Sequence, residues 1–185
     1  MAVQPRIKAA DFWEISQHSD FIDKPIELIH GEIEAMPSNP RASALASRVN
    51  FYIFGFVEAH DLGHVSGEGG GYEVDDENTY APDVAFISKQ RQPELPRAGF
   101  NPIPPDLAVE VVSPSDLKDP KRRIFKKLER YQAARVPLVW YVYEERQEVE
   151  VYRPDQPKQI LGLDDVLDGE SVLPGFTLPV RIIFK

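Results

Sequence analysis

Cysteine is absent from the 185-residue chain, which excludes disulfides, thiolate metal centres and a cysteine nucleophile. No apolar run is long enough to span a bilayer, so no membrane partner is expected. The opening MAVQPRIKAADFWE has no apolar stretch of the kind a secretory signal needs, and a cytoplasmic location is the expectation. Positive charge is also scarce: 21 Lys and Arg stand against 30 Asp and Glu, a net charge of −9. Taken as a total, that argues against a nucleic-acid partner, because phosphate binding needs cations.

The distribution of charge changes that conclusion. Residues 118–135 hold Lys118, Lys121, Arg122, Arg123, Lys126, Lys127, Arg130 and Arg135 against Asp119 and Glu129, a local +6 that leaves the rest of the chain at −15. A solvated helix face is the commoner meaning of such a run. The alternative is an anionic substrate at this helix, with Lys121, Arg122, Arg123, Lys126 and Arg130 as candidate nucleic-acid contacts. No repeat or low-complexity linker marks a boundary, and the length fits one domain over 1–185 with a sizeable core.

Local patterns give the order helix, strands, helix, strands, which suggests an α/β fold with a mixed sheet. Residues 9–20 read as a short helix. Residues 25–36 form two alternating runs around His30-Gly31, a hairpin signal that pairs Ile29 with Glu32, Leu28 with Ile33 and Glu27 with Glu34. Leu45, Val49, Tyr52, Ile53 and Phe56 recur at helical spacing and place a helix at about 42–60. Gly67, Gly69, Gly70 and Gly71 lack a following GK[ST] and make a turn rather than a phosphate loop. Residues 81–87 read as a strand opened by proline, and 88–106 as a long proline-rich loop. Leu107–Val112 is a central strand. Asp119-Pro120 starts a helix that runs to Arg135 before Pro137. Residues 138–143 and 148–153 make a further hairpin, and short strands and turns follow. His60 and His64 suggest a helix end and a loop, without metal-ligand spacing, and Ser113 and Ser115 cap or turn.

Glu110 carries the most information. A carboxylate in a buried strand must be protonated, ion-paired or metal-bound, since leaving it unpaired costs several kcal/mol. Alternation places Ala108, Glu110 and Val112 on one face and Leu107, Val109 and Val111 on the other. From the residue alone, a salt bridge to the following helix and a functional site weigh equally. Asp83 alone reads as a turn-capping residue. Together, two carboxylates on neighbouring strands can share a hard cation that keeps waters for substrate. On the basic helix the core face is Ile124, Leu128 and Tyr131. Lys127 borders it, whereas Lys126 lies about 100° further round, toward solvent. A snorkelling lysine is the simpler reading of Lys127 by itself.

Asp83, Glu110 and Lys127 stand in an order that resembles the PD-(D/E)xK nuclease superfamily. More closely, the chain resembles the Uma family of restriction-endonuclease-fold proteins. The resemblance rests on IELIHGEIEAM (26–36), APDVAFIS (81–88), PPDLAVEVVSPSD (104–116), KKLERYQAARVPLVWYV (126–142), VEVYRP (149–154) and LPGFTLPV (173–180). It implies a restriction-endonuclease-like mixed β-sheet flanked by helices, with an N-terminal β-hairpin extension. It implies Asp83 and Glu110 as ligands of Mg²⁺ or Mn²⁺, Lys127 as the catalytic lysine, and Glu27 as an additional acid. The superfamily's E-x-K lysine would fall at Val112, so the lysine stands on the helix instead. Pro37-Ser38-Asn39-Pro40-Arg41 lacks the histidine many members carry there, and Arg135 replaces a helix-ending glycine.

The expected activity is metal-dependent hydrolysis of phosphodiesters in nucleic acid, DNA by preference, with the Val111 carbonyl as a further oxygen ligand. A homo-oligomer, a dimer by preference, is expected. Two rivals use the same fold: a non-catalytic nucleic-acid-binding protein with Glu110 ion-paired to the helix, and a structural oligomer joined through the 88–106 loop.

Overall fold

The computed structural model describes residues 6–22, 24–35, 39–119 and 121–185. Its centre is a mixed sheet dictated by two runs with no polar interruption except Glu110. Strands β7 (Leu107–Val112) and β8 (Leu138–Tyr143), numbered in chain order, are buried at every residue and pair in parallel, Leu107 opposite Leu138 through Val112 opposite Tyr143. Strands buried on both faces need no alternation, which is why both read as continuous apolar runs. Outside them pair β6 (Val84–Ser88) and β3 (Gly63–Gly67) on one side, and β9 (Glu148–Tyr152) and β10 (Gln159–Leu161) on the other. All pairings except β7–β8 are antiparallel.

One face of this sheet, carrying Val109, Val111 and Trp140, packs on Leu45, Val49, Ile53 and Val57 of α2 (Pro40–His60) and on the C-terminal segment. That segment comprises β11 (Val166–Asp168), β12 (Thr177–Pro179) and α5 (Val180–Ile183). The other face, with Ala108, Val112, Val139 and Tyr141, packs on Ile124 and Tyr131 of α4 (Arg123–Ala133). Glu110 shares that second face, as alternation requires.

The hairpin forms with the expected register in β1 (Ile26–Ile29) and β2 (Glu32–Ala35). Both turn residues take left-handed backbone, His30 at φ 52° and Gly31 at φ 72°, which matches the strand twist. The hairpin is not a free extension. β1 also pairs with β5 (Asn78–Tyr80), and with β4 (Tyr72–Asp75) they form a four-stranded sheet ordered β2-β1-β5-β4.

Several boundaries differ from expectation. The first helix, α1, spans Ala9–Ser16 and gives way to turns. The second starts at Pro40, because the Asn39 side chain accepts from the Arg41 and Ala42 N–H groups at 3.0 Å. Tyr52 is exposed rather than part of its core face. β6 begins at Val84, after Pro82, which has no N–H for a ladder. His64 lies in β3 rather than in a loop.

The expected helix over 120–135 is two helices. Asp116 accepts from the Ser113 N–H at 2.8 Å and starts α3 (Pro114–Lys118). Asp119 then accepts from the Lys121 and Arg123 N–H groups, and α4 starts only after Arg122, whose φ is 51°. Pro120, expected at the first helical position, lies outside the described residues, as do Met36, Pro37 and Ser38. Arg135 takes φ 55°, the geometry a helix-ending glycine would supply. Among the described residues no helix is long and apolar enough to cross a membrane.

Candidate active site

Three elements deliver charged groups to one point. Glu27 comes from the hairpin, Glu110 from the central strand and Lys127 from α4. The Lys127 Nζ lies 2.8 Å from Glu27 Oε1 and 2.7 Å from Glu110 Oε1. All three are deeply buried, at 2%, 4% and 1% exposure. Lys127 therefore sits inside the helix–sheet contact and not on its border, because Glu27 and Glu110 supply a reason to bury the ammonium. The Nζ also lies over the Tyr80 ring, 5.4 Å from its centroid. Glu110 Oε1 accepts a second hydrogen bond, from the Tyr131 hydroxyl at 2.7 Å.

Asp83 joins them at the entry to β6. Its Oδ2 accepts from the Val111 N–H at 2.6 Å. The β6–β7 register, Val84 opposite Val109, carries two residues further to Pro82 opposite Val111. N–H and C=O of one residue point to the same side of a strand, so the Val111 carbonyl also points toward Pro82. Proline has no N–H to give it. The Asp83 side chain thus satisfies the Val111 donor, and Pro82 has nothing to donate to the Val111 carbonyl.

Glu27, Asp83, Glu110, Val111 and Lys127 line one cavity of about 240 Å³. The donor set suits a hard divalent cation. Asp83, Glu110 and the Val111 carbonyl are oxygen donors, and Glu27 Oε2 is buried without a hydrogen-bond partner. With Lys127 the ionised set of three acids carries −2. Among the described residues no group of three or more His, Asp or Glu side chains forms a cage that could hold a metal ion. Mg²⁺ uses one or two carboxylates and keeps waters, so it needs no such cage.

The profile of Uma2, a family described as putative restriction endonucleases, matches residues 13–181. The chain belongs to this family. The Uma2 chain also superposes on the 1.96 Å crystal structure of a putative nuclease of the DUF820 group from Anabaena variabilis ATCC 29413. That match has a TM-score of 0.79 at 20% identity, over 96% of this chain and 97% of that one, and shows the restriction-endonuclease-like fold. No curated protein matches.

Of the five basic residues expected at nucleic acid, none lines the cavity. Lys121 pairs with Glu34, Arg123 with Asp119 at 2.8 Å, and Arg130 with Asp75 at 4.0 Å. Arg122 lies over Phe125, and Lys126 is half-buried. Lys121 and Arg123 thus tie the start of α4 to the hairpin at Glu34, and Arg130 ties it to β4. Conversely, the cavity includes Lys24, Glu68 and Asp116, which sequence reasoning did not single out. The helical pattern marks Tyr131 only as a core residue. Its place four residues after Lys127, on the same helix face, was the available signal for its role.

Two expectations follow from these contacts. Tyr131→Phe should cost about 1.5–3 kcal/mol, the usual worth of a hydrogen bond to a charged group, and weaken Mn²⁺ binding about 10- to 100-fold by loosening Glu110. Denaturation in chelator and calorimetric titration read the two effects separately. Unchanged metal affinity would make Tyr131 a packing residue.

The second concerns Asp83. Burial pushes its carboxyl up to about 6, opposed by the Val111 N–H and Lys127 and reinforced by Glu68 and Glu27. The native state then holds the proton more tightly than the unfolded chain, so this group's contribution to stability falls as pH rises from about 4 to about 6. In chelator, the melting temperature of Asp83→Asn relative to wild type should climb across that window. Parallel curves would show a well-solvated Asp83.

Proposed function

We propose that this Uma2 protein is a metal-dependent phosphodiesterase acting on nucleic acid, with DNA as the preferred substrate. The observation that carries this reading is the convergence of Glu27, Asp83, Glu110 and Lys127 in one cavity, where Lys127 pairs with Glu27 and Glu110 and Asp83 accepts from the Val111 N–H. Asp83, Glu110 and the Val111 carbonyl would hold Mg²⁺ or Mn²⁺. When bound, the cation supplies Lewis-acid polarisation of the phosphate and acidifies water. Glu27 and Glu110 hold the Lys127 ammonium in place, and Lys127 donates to the attacking water or to phosphate oxygens as negative charge builds. Burial of these groups strengthens each interaction by excluding water. Lys126 and Arg122 remain as candidates for sequence-independent phosphate contacts.

The test is cleavage of single- and double-stranded DNA and RNA with Mg²⁺ or Mn²⁺ and with chelator. Metal-dependent cleavage of DNA is expected, and none of any substrate would sink the reading. One observation favours a binding protein instead: Lys127 already pairs with two of the carboxylates, Glu27 and Glu110. Calorimetric Mn²⁺ titration separates the two, since a purely structural ion pair would take up no metal.

A homodimer in the cytoplasm completes the reading. Phe51 and Phe54 on the outer face of α2, 71% and 49% exposed, support self-association there rather than through 88–106. Sedimentation of wild type against Phe51→Glu reads it, with an unchanged monomer in both as the contrary result.

A further inference from the structure

We infer that the cavity receives one unstacked nucleotide, so that the substrate is a single strand or a frayed end rather than an intact duplex. This rests on the hydrolytic reading above and names its substrate class.

Depth is the first argument. Glu27, Glu110 and Lys127 are 1–4% exposed, whereas reacting atoms must approach to about 3–3.5 Å. A phosphodiester on the outside of a continuous helix does not reach groups buried this deeply in the cavity wall. The nucleotide has to leave its stack, and that costs least where no partner strand holds it. A cavity of about 240 Å³ lies just below the usual range for small-ligand sites, roughly 300–1,000 Å³. It therefore has room on the scale of one base or sugar-phosphate and not of a base pair.

The walls supply the second argument. Phe21 and Ile22, in the turns after α1, line the cavity, and Ile22 is 55% exposed. An apolar side chain left open at a polar site suits the face of a base, which stacks without regard to its identity. Phe100 also lines the cavity, but its ring is already engaged. Phe12 stacks on it at 5.1 Å, and Gly71 lies so close that a Cβ there would fall 2.3 Å from the ring. Phe100 is thus a fixed wall, and Phe21 and Ile22 are the available contacts.

Charge supplies the third. Among the described residues the lining has five carboxylates, including Glu68 and Asp116, against Lys24 and Lys127. A duplex laid across this mouth would set phosphates of both strands against the acids. One strand threaded inward presents fewer, beside the exposed Lys24.

The experiment uses the full chain and one labelled sequence, as single strand and as blunt duplex. Cleavage is followed in Mn²⁺ and binding, by anisotropy, in Ca²⁺. The single strand should be cut at least about tenfold faster, and a 5′-mononucleotide should compete with its binding. Phe21→Ala and Ile22→Ala should each weaken single-strand binding about tenfold, in line with loss of one base-stacking contact. Their Mn²⁺ affinity and melting temperature should stay near wild type, which controls for folding. Equal or faster cleavage of the duplex overturns the inference while leaving hydrolysis intact, as does wild-type binding by both variants. Preferential single-strand binding without any cleavage supports the cavity assignment and sinks the hydrolytic reading. Neither cleavage nor binding sinks both.

Discussion

Replacing Lys127 with methionine is expected to abolish cleavage and to destabilise the metal-free fold by about 3–5 kcal/mol, the usual cost of breaking a buried ion pair. The side chain is 1% exposed and its ammonium lies between Glu27 and Glu110. Methionine fills a similar volume but leaves two buried carboxylates facing each other. Burial alone would lower the Lys127 pKa, yet Glu110 and Glu27 overcome that and hold it above the ordinary lysine value.

Added Mn²⁺ should restore part of the lost stability, because a divalent cation replaces the missing positive charge and binds only the folded state. Cleavage should not return, since nothing then donates to the phosphate. Lys126→Ala is the control. It is half-buried and outside the cavity lining, so stability should change by no more than about 0.5 kcal/mol. Nucleic-acid binding, compared at fixed salt, should weaken modestly. Equal, mild effects of both substitutions would reduce α4 to a basic surface and withdraw the assignment of Lys127.

Glu110→Gln should have the opposite balance. Cleavage and Mn²⁺ affinity should fall at least about 100-fold, the upper end for loss of a group that only supports a ligand. The fold in chelator should stay within about 1 kcal/mol of wild type, because a neutral amide can still accept from its neighbours. Lys127 keeps Glu27 at 2.8 Å, so its charge is not orphaned, and a glutamine oxygen can accept from both Lys127 and Tyr131. Burial pushes the Glu110 carboxyl well above the ordinary range, with Asp83 and Glu27 adding to the rise against Lys127. A neutral amide escapes that desolvation. A loss of roughly 3 kcal/mol or more in chelator would instead identify Glu110 as one half of a structural salt bridge.

The strands at the centre were legible because burial on both faces leaves no other way to write them. β7 and β8 were expected and found over the same residues. The hairpin register was legible because a two-residue turn permits only one. The inward direction of Lys127 followed from its spacing to Ile124 and Tyr131, but its depth did not. Depth depends on Glu27, a hundred residues away, reaching the same point. For the same reason the basic run was misleading. Sequence displays the charges of Lys121 and Arg123 but not their pairing with Glu34 and Asp119 in the fold. The break between α3 and α4 was missed because Asp119-Pro120 has the form of a helix start, while the left-handed backbone at Arg122 has no signature in an arginine.

Glu27 belongs to the four-stranded sheet, Glu110 to the six-stranded sheet, and Lys127 to the helix between them. The charged trio is therefore a rivet through three elements that also share one buried apolar cluster, which includes Ile29, Ala108 and Tyr131. Opening any one of them breaks the rivet, so β1, β7 and α4 should form a single cooperative unit in native-state amide exchange. Loading the cavity with Mn²⁺ should slow exchange in all three together, including hairpin amides that line no part of it. Protection confined to β7 would show that the hairpin moves on its own. In the riveted case the hairpin serves as a remote indicator of whether the centre of the molecule is occupied.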